Sequence, residues 1–344
     1  MAVKKKHHHF PSELRSGPIS EDWVIIATGR AKRPETFKKE TKTEFVEDPK
    51  TCPFCHMEKE KDKLILVFSK GKKTEVSDDL GGWTTLVAPN KYPALIFSPS
   101  LHAEKVGPYK RMDGAGYHEV VITRDHTRSM GQFSVEEVKE VMDVYHERYL
   151  DLMNEPFIQY VSIFHNHGKE AGASIYHPHS QIIAAPVIDP DLNRAVLIAQ
   201  EHYKKHKQIV YKEMNEWEMK NPDRIVFQNK EFLVLCPFAS KAAFEMIISP
   251  KRHLPYFERT TNEERKYLAE AMQAALSKLY KGLNNPAYNF YLHTAPCDGK
   301  DYYFYQWHFT IIPKTAAIAG FELATGIEIS TIEPEVAAEF LRKQ

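Results

Sequence analysis

The chain carries the same ordered set of segments twice, and that repetition constrains its fold more than any other feature. Glu119-Val-Val-Ile-Thr-Arg-Asp-His126 is a short β-rich run closing on a basic loop and a histidine, and Glu245-Met-Ile-Ile-Ser-Pro-Lys-Arg-His253 has the same form. Eight residues beyond each histidine a helix is predicted to start. Ser134 with Glu137, and Thr261 with Glu264, have the capping-box form, in which the hydroxyl caps a backbone N–H and the Glu returns to the cap residue. The helices that follow carry apolar residues at helical spacing: Val135, Val138, Val141, Met142, Tyr145, Tyr149 and Leu152 in one, Leu268, Ala271, Met272, Ala275, Leu276 and Leu279 in the other. Asn154 to Pro156 is expected to stop the first helix, and Gly282 the second.

After each helix a strand-like run enters a polar loop, Tyr160 to Gly168 in one half and Asn289 to Gly299 in the other. A last strand closes each half, His177-Pro-His-Ser-Gln-Ile-Ile-Ala184 and Gln306-Trp-His-Phe-Thr-Ile-Ile-Pro313. Upstream, Trp83 to Leu95 pairs more weakly with Phe232 to Phe244. Strands, one long helix, then more strands describe an antiparallel sheet with a helix packed on it, twice over, an α+β architecture made by internal duplication. The charged segment Glu201 to Asp223 has no counterpart in the first half, which places the division between domains nearby, as residues 1–195 and 196–344.

The repeat differs where chemistry is expected. Side chains on a strand alternate faces, so His177, His179 and Gln181 line one surface, against Gln306, His308 and Thr310 in the second half. Three polar groups in a row need partners, which points to a ligand, metal or substrate. Ahead of them, the loop from Asn166 to Ser174 holds two glycines and small residues that let backbone N–H groups approach phosphate oxygens. Cys52-Pro-Phe-Cys55 has the spacing of two thiolates on one tetrahedral zinc, with His126 and His177 as the further ligands and His56 and His118 as alternatives. A redox role for the pair wants a helix N-terminus in a βαβ setting, whereas Asp48-Pro-Lys and Pro53 describe a loop. The second half keeps His253 but has no Cys-x-x-Cys and carries Gln306 at the ligand position, so a second complete metal site is not expected and His253 reads as a loop or core residue.

Composition narrows the class. Lys+Arg and Asp+Glu number 46 each among 344 residues, which argues against a nucleic-acid binder held by bulk charge. Four Cys do not make a secreted disulfide framework, no apolar run spans a bilayer, and the basic start lacks the apolar core of a signal peptide. The expected compartment is the cytoplasm.

Together these residues resemble the galactose-1-phosphate uridylyltransferase family, the transferase branch of the histidine-triad superfamily. The match runs nearly end to end through Gly17 to Ile26, Gly29-Arg-Ala-Lys-Arg-Pro34, Cys52 and Cys55, Pro89-Asn-Lys-Tyr-Pro-Ala-Leu95, His177-Pro-His-Ser-Gln181 and Gly320-Phe-Glu-Leu-Ala-Thr-Gly326. That tail is also similar to an ADP-glucose phosphorylase branch. The resemblance implies two tandem histidine-triad-like domains, the second with a degenerate site. It makes His179 the nucleophile that takes UMP from UDP-glucose and passes it to galactose 1-phosphate through a uridylyl-histidine, with Gln181 and Ser174 as hydrogen-bond donors. It implies a structural zinc on Cys52, Cys55, His126 and His177. The resemblance also implies nucleotide or phosphate contacts at Arg30, Arg33, Asn90 and Asn166, sugar contacts at Phe321 and Glu322, and a homodimeric assembly. The sequence departs from the family at Ala316, near which a Lys meeting the sugar phosphate is expected and Lys314 stands close by, and at His165, where relatives carry Glu or Lys. The alternative keeps the histidine and changes the partners, as an ADP-glucose or dinucleoside polyphosphate phosphorylase.

Overall fold

A computed structural model describes residues 12–27, 47–76 and 80–344. The described residues open with strands β1 (Glu13–Ser16) and β2 (Trp23–Ile26). Strands β3 (Leu66–Ser69), β4 (Lys72–Thr74) and β5 (Thr85–Pro89) follow, then the hairpin β6 (Ala103–Val106) and β7 (Tyr109–Met112). Next come β8 (Tyr117–Thr123), helix α1 (Val135–Leu152), β9 (Tyr160–His167) and β10 (His179–Ala185). Helices α2 (Pro190–His206) and α3 (Val210–Lys220) lead to β11 (Ile225–Gln228), β12 (Phe232–Leu235) and β13 (Met246–Pro250). Helix α4 (Asn262–Leu283), β14 (Tyr288–His293), β15 (His308–Pro313), α5 (Gly320–Thr325), β16 (Ile329–Ser330) and α6 (Pro334–Arg342) complete the chain.

Eleven of these strands form one antiparallel sheet in the order β11-β12-β13-β15-β14-β9-β10-β8-β5-β3-β4. Its seam is the pairing of β14 with β9, where Asn289 faces Asn166 and Phe290 faces His165. Outward from the seam the first half runs β9, β10, β8, β5, β3 and the second β14, β15, β13, β12, β11. The strands that fall in the repeated segments, β5, β8, β9 and β10 in one half and β12, β13, β14 and β15 in the other, lie in the same order outward from the seam, whereas β4 has no counterpart. The sheet is continuous across the seam, and one core cluster draws on both halves, from Val121, Ile163 and Ile182 to Phe290, Phe309 and Ile311. A cut at residue 195 falls inside α2.

Helices α1 and α4 cover one face of the sheet. Both begin as the sequence predicts: Ser134 Oγ accepts from Glu137 N–H at 3.2 Å, and the Ser134 and Thr261 N–H groups donate to Glu137 and Glu264 carboxylates at 2.7 and 2.8 Å. Their apolar stripes are fully buried, Val138, Val141, Met142 and Tyr145 against Leu268, Met272, Ala275 and Leu276. Gly282 does not stop the second helix. It remains helical, and Asn284 takes the left-handed conformation (φ 57°) that ends α4. A Cβ on Gly282 would lie 3.0 Å from Phe340 Cε1, so glycine serves there to let α6 approach.

The opposite face is divided. In the second half it is covered by α2 and α3 through Leu192, Val196, Val210 and Tyr211 against Tyr160, Tyr256 and Tyr305. In the first half it carries a smaller apolar group, Trp83, Leu86, Ala88, Val120 and Ile122, and beside it the polar side chains of β10. A separate three-stranded sheet sets β2 parallel to β16, with Ile25 N–H donating to Glu328 O and Ala27 N–H to Ser330 O. It ties the segment leading into Arg30 and Arg33 to the tail that carries α5. Among the described residues no helix is long and apolar enough to cross a membrane.

Candidate functional site

Strand β10 sorts its residues by parity. Ile182 and Ala184 point into the helix-covered core, whereas His179, Gln181 and Ile183 take the other face. Ser180 is on the core side, opposite His165. That accounts for His165, which does not face the polar surface: it is 2 % exposed, stacks on Phe290 with ring centroids 4.9 Å apart, and places Nδ1 2.9 Å from Ser180 Oγ. Burial holds its pKa well below the ordinary imidazole value.

At the start of β10, Cys52, Cys55, His126 and His177 converge, their donor atoms all within 4.8 Å of one another. Nδ1 of His126 lies 3.3 Å from Cys55 Sγ, and Nδ1 of His177 lies 3.5 Å from Cys55 Sγ and 3.6 Å from Cys52 Sγ. The outer ring nitrogens fix the tautomers. His126 Nε2 sits 2.8 Å from Glu47 O and His177 Nε2 2.6 Å from Thr123 O, and since a carbonyl only accepts, both carry a proton there. Each neutral ring therefore turns an unprotonated Nδ1 inward, and these two nitrogens meet at 3.2 Å. A protonated thiol can donate to one of these nitrogens, and a cation bound by all four groups would take the place of that contact.

Burial pushes the Cys55 thiol up to about 12, with Cys52 adding to the shift, and pushes His177 down to about 4. Without a cation the Cys55 thiol and the His177 ring stay uncharged, and a divalent ion reverses that preference for the thiol. Two sulfurs and two outward-anchored imidazoles fit a tetrahedral, thiophilic ion with no open position. His56 and His118 are not part of the cluster. His56 Nδ1 lies 3.5 Å from the Glu58 carboxylate and its Nε2 bonds Lys50 O, while His118 belongs to a different network.

His179 stands next to the cluster without joining it. Its Nδ1–H donates to His177 O at 2.9 Å, so Nε2 carries the lone pair. Burial lowers its pKa, which keeps the ring neutral and nucleophilic near pH 7. Phe54, between the two cysteines, packs edge-on against His179 with ring centroids 5.0 Å apart and against His177 at 5.9 Å. The two-residue spacer of the knuckle thus buttresses the strand, a role that the Cys-x-x-Cys pattern alone does not announce.

Gln181 is half-buried and points the same way. Its Oε1 accepts from His118 Nε2–H at 2.8 Å and lies 3.5 Å from Asn90 Nδ2, which leaves the Gln181 NH2 as the outward donor. Asn90 Oδ1 accepts from Tyr92 N–H at 2.9 Å, so the Asn90 amide also faces Gln181. Asn166 is held at the seam, its Oδ1 accepting from Asn289 Nδ2 at 2.7 Å. The same Asn289 nitrogen reaches Ala171 O at 2.8 Å and so secures the glycine loop, a partner from the other half of the chain that no local motif marks.

That loop differs from expectation. The N–H groups of Ala171, Gly172 and Ala173 bond Gly168 O, Lys169 O and Gly168 O, so they close the loop on itself and are not free for phosphate. Gly168 (φ +83°) is required, since a Cβ there would come 2.7 Å from Ala287 Cβ. Ser174 lies beyond it and is exposed, between half-buried neighbours. Phe321 and Glu322 are on α5, where Phe321 is exposed and Glu322 accepts from Ala319 N–H at 3.2 Å. No hydrogen bond, ion pair or ring contact joins them to His179, Gln181 or the cysteine cluster. Arg30 and Arg33 lie outside the described residues.

Cys52, Cys55, His126, His177 and His179 all fall within the stretch matched by a known family. The description galactose-1-phosphate uridyl transferase, N-terminal domain, matches residues 1–189, and the chain belongs to that family. A domain of unknown function, DUF4921, matches residues 109–343. ADP-glucose phosphorylase of Arabidopsis thaliana is 29% identical over 338 residues, covering 96% of this chain and 92% of the relative. Galactose-1-phosphate uridylyltransferase of Thermotoga maritima is 28% identical over 341 residues, covering 96% and 98%. Among solved structures, the Arabidopsis ADP-glucose phosphorylase with bound ADP-glucose superposes with a TM-score of 0.77 at 25% identity over 97% of this chain and 99% of that one. A uridylyltransferase structure gives 0.72 at 26% identity, over 96% and 97%.

Proposed function

We propose that the chain is a nucleotidyltransferase that moves UMP from UDP-glucose to galactose 1-phosphate through a covalent intermediate on His179. The observation that carries this reading is the tautomer of His179: a neutral ring with Nδ1–H spent on His177 O and Nε2 left as a lone pair on the polar face of β10. In the first step Nε2 attacks the α-phosphorus of UDP-glucose, the bond from phosphorus to the glucose 1-phosphate oxygen breaks, and glucose 1-phosphate leaves with the electron pair. In the second, an oxygen of galactose 1-phosphate attacks the same phosphorus, the N–P bond breaks, UDP-galactose departs and the ring regains its lone pair. The leaving group in each direction is a phosphate or a histidine, so no general acid is needed, which suits a glutamine in the third position. Charge accumulates on the non-bridging oxygens, where the Gln181 NH2 and the Ser174 hydroxyl donate.

Cys52, Cys55, His126 and His177 would hold a zinc ion whose part is structural, since four protein ligands leave no position for substrate. Arg30, Arg33, Asn90 and Asn166 are read as nucleotide and phosphate contacts, and Phe321 and Glu322 as sugar contacts, in a homodimer. All four cysteines are free thiols, which suits a reducing cytoplasm. The matching strand orders are read as duplication, in domains 1–195 and 196–344. His308 Nδ1–H donates to Gln306 O at 3.2 Å, copying the bond from His179 to His177, while Gln306 in the ligand position donates to Pro250 O instead. The second site is thus degenerate.

A second reading, ADP-glucose phosphorylase, is favoured by the likeness to the Arabidopsis enzyme over nearly the whole chain. It uses the same histidine and replaces galactose 1-phosphate by phosphate. Substitution His179→Gly tests what the two share: transfer should vanish while nucleotide binding and metal content persist. Full activity in that variant would remove His179 from the mechanism.

A further inference from the structure

We propose that His118 is a positioning residue that fixes the side-chain amide of Gln181 so that its NH2, and not its oxygen, is presented beside His179. The inference rests on the reading of Gln181 as a donor to the phosphoryl group. His118 is on β8 opposite Ile183, and Gln181 is opposite Val120, so the two are diagonal neighbours on the polar face of the sheet. An amide has two nearly isosteric ends, and an unsupported glutamine can offer either to a phosphate. Only the nitrogen end is useful, because the oxygen end repels the charge that builds on the non-bridging oxygens.

Three hydrogen bonds settle which end faces out. The Ala94 N–H donates to His118 Nδ1 at 3.0 Å, and a backbone N–H has no lone pair to offer, so Nδ1 is the unprotonated nitrogen. In the neutral ring the proton is then on Nε2, which lies 2.8 Å from Gln181 Oε1 and donates to it. Asn90 Nδ2, fixed by the bond from Tyr92 N–H to Asn90 Oδ1, lies 3.1 Å from His118 Nε2 and 3.5 Å from Gln181 Oε1; with Nε2 protonated through the Ala94 bond, the acceptor open to it is the oxygen. The orientation of Gln181 is thereby inherited from the main chain of the segment 90–94, which is itself tied to β8 by Asn90 N–H donating to His118 O at 2.8 Å. His118 touches neither His179 nor the metal cluster; it acts through Gln181.

A purely structural role, holding the segment 90–94 against β8, would use only Nδ1. The two ring nitrogens can be tested apart, because an asparagine oxygen stands near the place of Nδ1 and a glutamine nitrogen near that of Nε2. His118→Asn keeps the acceptor for Ala94 and loses the donor to Gln181, and His118→Gln does the reverse. The rate of labelling of the protein is measured by quenched-flow mass spectrometry, with UDP-glucose and ADP-glucose as separate probes. Gln181→Ala should slow labelling by about a hundredfold or more, the loss typical of one preorganised donor. His118→Asn should slow it by about ten- to a hundredfold with KM little changed, and His118→Gln should restore it to within a few-fold of the wild type. The double variant His118→Asn/Gln181→Ala should be no slower than Gln181→Ala alone.

If Gln181→Ala labels at the wild-type rate, the reading of Gln181 fails. If that variant is slow but His118→Asn is not, or if His118→Gln is as slow as His118→Asn, the proposal for His118 fails alone. A readout independent of turnover is the Gln181 side-chain amide signal in 1H–15N NMR spectra, identified by its absence in Gln181→Ala. It should move in His118→Asn and hold its place in His118→Gln; an unmoved signal in His118→Asn would overturn the hydrogen bond itself.

Discussion

Removing the metal should cost this protein stability through the chain connections that the cluster closes. Cys55 and His126 are 71 residues apart and Cys55 and His177 122 apart, yet their donor atoms lie within 3.5 Å. A cross-link closing a loop of 71 residues removes about 4 kcal/mol of unfolded-state freedom by the chain-entropy relation, and the second closure overlaps the first, so that figure stands for the cluster as a whole. The assay is urea unfolding of metal-loaded and chelated protein, followed by fluorescence, with Cys55→Ser as a variant that lacks one donor and His56→Ala as a control in the same segment. The loaded protein should be more stable by about 4 kcal/mol, Cys55→Ser should behave as the chelated protein does, and His56→Ala should match the wild type. Equal unfolding midpoints with and without metal, in a protein shown by elemental analysis to bind it, would refute the reasoning.

Two further predictions concern buried groups away from the cluster. Burial raises the Glu245 carboxyl to about 7, above its ordinary 4.5, so between those values the folded state keeps a proton that the unfolded state loses. Stability should therefore fall as pH rises through this window, by about 3 kcal/mol at most, and Glu245→Gln should flatten the dependence in unfolding curves at pH 5 and 8. Tyr145 on α1 meets the Ser180 hydroxyl beneath β10, and Ser180 Oγ also lies 2.9 Å from His165 Nδ1. Tyr145→Phe should leave a buried polar pair short of a partner and lower stability by about 1–3 kcal/mol in urea titrations, with labelling at His179 retained.

The sequence announces those parts of the fold that are local. Both capping boxes form, the apolar stripes of α1 and α4 are the buried ones, and the strands lie where short β-rich runs end in polar loops. Residues 179 and 181 share a face by parity, because a strand alternates faces whatever it packs against, whereas His177 precedes β10, which starts at His179 and not at 177. What the sequence does not announce depends on contacts between distant segments. Asn289 bonds the loop of the other half across the seam, Phe54 braces His179, and His118 serves Gln181 although its spacing also suits a metal ligand. Gly282 has the look of a helix stop, yet its lack of a side chain is used to admit α6. The glycines of the loop 166–174 suggest free backbone donors, and only the turn geometry shows that three of them are already bonded. Helices α2 and α3 fall in a segment without a counterpart, so the repeat is silent on what covers the second half of the sheet.

The central claim is that His179 carries the nucleotide during transfer. The most direct test is the intact mass of the wild-type protein and of His179→Gly after brief mixing with UDP-glucose or ADP-glucose in the absence of acceptor, kept at neutral pH because phosphohistidine is acid-labile. The account predicts a gain equal to UMP with UDP-glucose in the wild type and none in the variant, and a gain equal to AMP would assign the phosphorylase reading instead. A folded, metal-loaded wild type that gains no mass from either donor, or a His179→Gly variant that gains it unchanged, would contradict the account.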